Sequence, residues 1–252
     1  MSATSGYLAV QPRPAASLRL FCFHHAGAGA SCYARWGQRL GLDVSVVPVR
    51  LPGREVRLRE PRHTSGERLL RDLEQHLGPL LDEPYAFYGH SLGALVAYSF
   101  ALRHAGNGGR APELVAVGAC SAPHLGMPLL EDSEMSDAEL LAVLHETGGI
   151  AEQMLQRPAW LQLTIDIMRD DLLLARSLRA AAGEQLPCPL LAVAGRDDLL
   201  VSPDAVRAWN SYTRAGFRMR TLDGDHLFVR QTAVTELLGA ALVEELPLAP
   251  AP

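Results

Sequence analysis

Residues Tyr85–His104 read YAFYGHSLGALVAYSFALRH. An apolar run, Tyr85–Tyr88, leads directly into Gly89-His90-Ser91-Leu92-Gly93, and a helical apolar pattern then extends from Leu92 to His104. Strand, sharp turn and helix are written one after another. The G-x-S-x-G spacing has a mechanical reason: small residues around the serine let the chain reverse abruptly, lift the hydroxyl clear of a sheet and aim a helix N-terminus at the reacting centre. The pattern alone is common by chance; its place between a strand and a helix gives it weight.

Working outward, further short apolar runs read as strands at Leu18–Phe23, Val44–Val49, Leu114–Gly118, Leu190–Ala194 and Phe217–Leu222. Several are almost continuously apolar, as parallel strands covered on both faces must be. Helical signals lie between them. Thr64-x-x-Glu67 reads as a capping box before Leu69, Leu70, Leu73 and Leu77. Ser202 before Pro203 gives an N-cap with proline in the first turn, and Val234–Glu245 is a last amphipathic segment. Such alternation predicts an α/β fold, a mostly parallel, doubly wound sheet. It breaks once, over about residues 121–186, where Ser136-x-x-Glu139 opens a helical stretch running through Met154–Leu155 and Leu161–Leu178. That is too long for a connection and reads as a helical insertion, a lid, within a single domain spanning 1–252.

Composition bounds the chemistry. The chain has 252 residues, 48% hydrophobic and 20% charged, with a formal net charge of −5, which argues against a nucleic-acid partner. All 23 basic residues are arginine, so a lysine Schiff base, a P-loop lysine and a Ser–Lys dyad are excluded. The four cysteines are widely spaced and form no C-x-x-C, so neither a disulfide scaffold nor a zinc site is expected. No apolar run suits a membrane span, and Met1–Gln11 lacks the features of a signal peptide. A monomeric cytoplasmic protein, without metal or cofactor, is the expectation.

A serine hydroxyl needs a base and an orienting acid to act as a nucleophile, and on such a sheet they follow in the order acid, then histidine. Asp197-Asp198 follows the strand Leu190–Ala194, and Asp225-His226 follows Phe217–Leu222. Both stand at carboxyl ends of strands, where sites of open α/β sheets collect. His226 is the one histidine beyond His145, so it is the expected base. Asp198 is the preferred acid and Asp197 the alternative; Asp225 reads as a loop cap. An oxyanion also needs donors: the amide of Leu92, following the serine, and one from the small-residue loop His24-His25-Ala26-Gly27-Ala28-Gly29-Ala30 after the first strand.

Taken together, these segments resemble the type II thioesterases, editing hydrolases of polyketide and nonribosomal peptide synthesis with an α/β-hydrolase fold. The resemblance covers nearly the whole chain. Leu20–Trp36 (LFCFHHAGAGASCYARW) is similar to the family's oxyanion segment, Arg50–Pro61 (RLPGREVRLREP) to its second motif, and Phe87–Gly93 to its elbow. Gly195–Pro203 and Gly224–Val229 match the acid and histidine segments, and Glu146–Leu174 the lid. His24 stands where the family often has proline, and Ala28-Gly29 where Gly-Ser is usual. The resemblance implies Ser91 as nucleophile, Asp198 as acid, His226 as base, and Ala26 and Leu92 as backbone oxyanion donors. It further implies hydrolysis of acyl thioesters held on the phosphopantetheine arm of acyl or peptidyl carrier proteins, with no cofactor of the enzyme's own. The five arginines of Arg50–Arg62, set against Glu55 and Glu60, are either a solvated loop with ion pairs or, through Arg50, Arg54 and Arg57, a contact for the carrier or its arm. Alternatives to the thioesterase are a carboxylesterase or macrocyclising thioesterase, and a non-catalytic binding or scaffold module of the same fold.

Overall fold

The computed structural model describes residues 6–41, 43–126, 135–150 and 157–245. In its first strand, β1 (Leu18–Phe23), neighbouring side chains look to opposite sides: Leu20 and Cys22 enter one apolar cluster, Phe21 and Phe23 another. The same holds in β3 (Tyr85–His90), where Ala86 and Tyr88 face one way and Tyr85 and Phe87 the other. A period of two with apolar residues on both faces is what a sheet covered on both sides requires. With β2 (Val44–Val49), β4 (Leu114–Gly118), β5 (Leu190–Gly195) and β6 (Phe217–Leu222) these strands form one six-stranded sheet in the order β2-β1-β3-β4-β5-β6. Every neighbouring pair is parallel.

The helices divide between the faces. On one, α2 (Gly66–Leu77), α3 (Leu92–Gly106) and α5 (Pro158–Ala180) bring Leu69, Leu73, Leu95, Phe100, Leu174 and Leu178 onto Phe21, Phe87 and Val115; α6 (Pro203–Arg207) adds Val206. On the other, α1 (Trp36–Arg39) and α7 (Thr232–Glu245) bring Trp36, Val234, Leu238 and Leu242 against Leu20, Tyr88 and Val193. α3 is buried on nearly every side, which suits its almost unbroken apolar sequence. The segment before β1 covers the β2 edge, where Leu8 bridges Val49 and the Ala9 amide donates to the Pro48 carbonyl.

The expected strands are all present; β3 and β5 run one or two residues further than the apolar runs suggested. One cap is displaced: Ser65, not Thr64, is the N-cap of α2, its hydroxyl accepting from the Arg68 amide. Ser136 and Glu139 do form a capping box, at the start of α4 (Asp137–Glu146). Within the expected insertion, α4 and α5 build a small core of their own from Leu140, Leu144, Ile150, Ile165 and Met168, packed against Ala26 and Leu200. The expected helix at Met154–Leu155 lies outside the described residues. Among the described residues no helix is long and apolar enough to cross a membrane.

Candidate active site

The chain leaves β1 for β2 on one side and returns to β3 on the other. The carboxyl ends of β1 and β3 therefore flank a crevice of the kind in which open α/β sheets hold their ligands. The loop His24–Ala30 and the turn Gly89–Gly93 both sit there.

At that turn Ser91 has φ 53 and ψ −115, a region that costs a side-chain-bearing residue on the order of 1–3 kcal/mol. The flanking glycines are sterically compelled. A Cβ on Gly89 would lie 2.0 Å from the Gly93 carbonyl oxygen, and one on Gly93 would lie 2.0 Å from the Phe23 carbonyl oxygen. The turn is pinned from the next strand by the Ser91 amide, which donates to the Gly118 carbonyl at 2.8 Å.

His226 Nε2 lies 3.2 Å from Ser91 Oγ, and its Nδ1 lies 2.9 Å from Asp198 Oδ2. A carboxylate only accepts, so Nδ1 carries the proton and Nε2 offers its lone pair to the hydroxyl. The Asp198 side chain is fully buried, and its other oxygen accepts from the amides of Leu200 and Val201. Asp197 is exposed and away from this line. Asp225 caps its own loop, accepting from the Leu227 amide. The two strand-end loops that carry acid and base can touch because Gly195 has no side chain: a Cβ there would meet the carbonyl oxygens of Gly224 and Asp225 within 2.8 Å.

His90, the variable residue of the motif, has a structural task that the sequence did not reveal. Its Nε2 donates to the His226 carbonyl at 2.7 Å, and its Nδ1 accepts from the Tyr88 hydroxyl at 2.9 Å. A neutral ring protonated at Nε2 makes both bonds. Burial, reinforced by the neighbouring His226, lowers its pKa to about 3.

The loop after β1 is held by two charges on distant segments. Asp171 of α5 accepts from Arg54 through both oxygens, at 2.8 and 2.9 Å, and from the Gly27 amide at 2.8 Å; Arg54 also donates to the Ala28 carbonyl at 3.0 Å. The side chains are 5% and 1% exposed. Next to them burial, and then the Arg54 charge, lower the pKa of His24 to about 4. This corrects the expectation for Arg54: a guanidinium buried and bonded on both sides presents nothing to a carrier. Arg50 and Arg57 pair at the surface with Glu55 and Glu60, Arg57 also lies over the Tyr7 ring, and Arg62 reaches Asp170. The ion-pair reading describes this segment. Asp171 was missed, although a signal existed: Ile165, Met168, Asp171, Leu174 and Leu178 mark one buried helix face, and a carboxylate within such a stripe requires a partner.

Ser91 and His226 open onto a cavity of about 460 Å³. The β1 loop forms one wall, α4 and α5 contribute Val143, Leu144, Thr164 and Met168, and Leu200, Leu227 and Arg230 complete the lining. The surface is mostly apolar with a few convergent polar groups, as small-molecule sites are.

A family model described as a thioesterase domain matches residues 18–242. Among solved structures, the RedJ thioesterase of the prodiginine pathway of Streptomyces coelicolor is 35% identical, covers 94% of each chain and superposes with a TM-score of 0.81. Thioesterase PikA5 of Streptomyces venezuelae is 32% identical over 86% of this chain and 78% of its own length. A Brevibacillus parabrevis protein called linear gramicidin dehydrogenase LgrE is 34% identical over 85% of this chain and 82% of its own. With the domain model spanning the whole sheet and relatives above 30% identity matched along most of their length, the chain belongs to the thioesterase family.

Proposed function

We propose that this protein is a type II thioesterase that hydrolyses acyl or peptidyl groups from the phosphopantetheine arms of carrier proteins in polyketide or nonribosomal peptide assembly, clearing stalled or wrongly primed units. The observation that carries the reading is the Ser91–His226–Asp198 line opening on a largely apolar cavity. The names of RedJ and of BorB, a type II thioesterase from the borrelidin cluster with 28% identity and a TM-score of 0.82, support the biosynthetic setting.

Ser91 Oγ attacks the thioester carbonyl carbon as its proton passes to His226 Nε2. The oxyanion of the tetrahedral intermediate takes hydrogen bonds from two amides. One is Leu92, first residue of α3, where the helix dipole adds to the field. On the β1 loop the amides of Gly27 and Ala28 are committed to Asp171 and to the His25 carbonyl, and the family resemblance assigns the second donor to the Ala26 amide. Collapse breaks the C–S bond, and His226 returns the proton to the departing thiolate. Water then attacks the acyl-serine with His226 again as base, yielding a carboxylic acid and free Ser91. Asp198 keeps the imidazole in the required tautomer and stabilises its charged form throughout.

The test compares kcat/KM for an acyl-carrier thioester with that for the matched oxygen ester, with intact mass spectrometry of the carrier as readout. Faster release from the carrier, lost in Ser91→Ala, is expected. A clear preference for the oxygen ester, or release as a macrocycle without free acid, would overturn the proposal.

A further inference from the structure

A second recess, of about 240 Å³, adjoins the catalytic cavity. The two have Ser31, Cys32 and Arg230 in common, and the second adds Arg35, Trp36, Arg39 and Val229. Three guanidinium groups thus border one recess beside the site, in a protein whose formal net charge is −5. Among the described residues no carboxylate pairs with any of the three. Arg230 donates to the Gly148 carbonyl at 3.1 Å and Arg39 to the Gln231 carbonyl at 3.3 Å, bonds that orient the side chains without neutralising them. Glu55, beside Ser31, is engaged by the Ser31 amide and by Arg50.

We infer that this recess seats the phosphodiester of the phosphopantetheine arm, with Arg35, Arg39 and Arg230 donating to its oxygens. The inference rests on the thioesterase reading and deepens it. A guanidinium fork matches phosphate oxygens geometrically, and a cluster unneutralised by carboxylates is an anion site. The choice of phosphate over a carrier's own carboxylates follows from the shape. The charges border a recess beside the cavity that must hold the thioester, and thioester and phosphodiester belong to one flexible arm. A folded carrier meets an enzyme through a broad surface, not through a recess of this size. The assignment also moves the anion contact away from Arg50, Arg54 and Arg57, each of which already pairs with a carboxylate.

Three substrates bearing one acyl group test it: acyl-phosphopantetheine, acyl-pantetheine without the phosphate, and the acyl-carrier. The phosphorylated small substrate is expected to exceed its dephosphorylated counterpart in kcat/KM by about ten-fold, the scale of a few half-exposed charge contacts. In Arg35→Gln/Arg39→Gln/Arg230→Gln that ratio should fall to about one, mostly through KM, with Tm verifying the fold. An unchanged ratio would overturn the inference. So would a loss confined to the acyl-carrier, which would assign these arginines to the carrier surface instead. Calorimetric titration of phosphopantetheine and pantetheine reads the same preference without turnover. A protein that binds the phosphate but cleaves no thioester would thus refute the thioesterase reading and not this one.

Discussion

Removing the carboxylate of Asp171 separates what the buried ion pair does for the fold from what it does for catalysis. In Asp171→Ala the Arg54 guanidinium, 5% exposed, loses both of its charged bonds and keeps only carbonyl partners, while the Gly27 amide loses its acceptor. Breaking a buried pair from one side costs about 3–5 kcal/mol, a large share of a stability of about 5–15 kcal/mol. For a chain of this size it should lower Tm by roughly 6–20 °C. The catalytic effect is separate, because the amide that Asp171 grips is the neighbour of the proposed oxyanion donor at Ala26. Losing one such donor outright costs about 100- to 1000-fold in kcat, so a loosened loop should cost about 10- to 100-fold, with KM changing less. The double variant Arg54→Met/Asp171→Leu distinguishes the two effects. Apolar replacement of a buried pair is often neutral in stability, so its Tm should recover, yet Gly27 remains unheld and kcat should stay low. Thermal melts and steady-state kinetics on an acyl-N-acetylcysteamine thioester decide it. If kcat in Asp171→Ala stays within two-fold of the parent, or recovers with Tm in the double variant, the positioning argument is wrong.

Three further outcomes follow from the same geometry. Asp198→Asn should lower kcat by about 10⁴-fold through the wrong imidazole tautomer, while Asp197→Asn, on an exposed side chain, should stay within about two-fold; comparable losses at both would displace Asp198 as the acid. Gly93→Ala drives a methyl group to 2.0 Å from a β1 carbonyl oxygen and should abolish soluble expression, whereas Gly37→Ala, with no heavy atom within 4 Å of the added Cβ, should change Tm by only a few degrees. Stability should also fall on acidification. The pKa values of His24 and His90 are lowered by burial to about 4 and about 3, so between those values and about 6.5 the unfolded chain binds protons that the native one refuses. Each ring then contributes stability that is complete above about pH 6.5 and is lost at up to about 1.4 kcal/mol per pH unit as pH falls. Urea melts at pH 7, 6 and 5 check this, and His90→Gln should flatten the slope; a stability independent of pH across that window would refute it.

The parts of the site legible in the sequence are those that backbone geometry compels. Gly89 and Gly93 admit no side chain, so the elbow carries its own signature, and the order of strands then leaves His226 as the one histidine placed to act. Asp198 could not be separated from Asp197 because neighbouring loop residues differ only in direction, and direction was set by the amides of Leu200 and Val201. Arg54 was misjudged for a related reason. Charge is visible in a sequence and burial is not, so an arginine in a run of arginines looks solvated until Asp171, 117 residues away, is placed against it. The role of His90 was hidden because its partners are a carbonyl and a hydroxyl, which leave no trace in spacing.

The clamp also changes what the helical insertion can do. A lid is expected to swing as one piece over the mouth of a site, but α5 cannot. Met168 lies over Gly27, where an added Cβ would come within 2.7 Å of its sulfur. One turn on, Asp171 holds the Gly27 amide and Arg54, and Asp170 holds Arg62. Lifting the middle of α5 breaks a buried ion pair, at a cost of about 3–5 kcal/mol, and releases the loop that the oxyanion needs. Opening by that route would disable the site each time a substrate entered. α4 meets α5 through the small cluster of Leu140, Leu144, Ile150, Ile165 and Met168 and through the Asp137–Arg169 ion pair, and it contributes Val143 and Leu144 to the cavity wall. α5 is therefore a fixed frame that ties the depth of the acyl cavity to the geometry of the oxyanion loop.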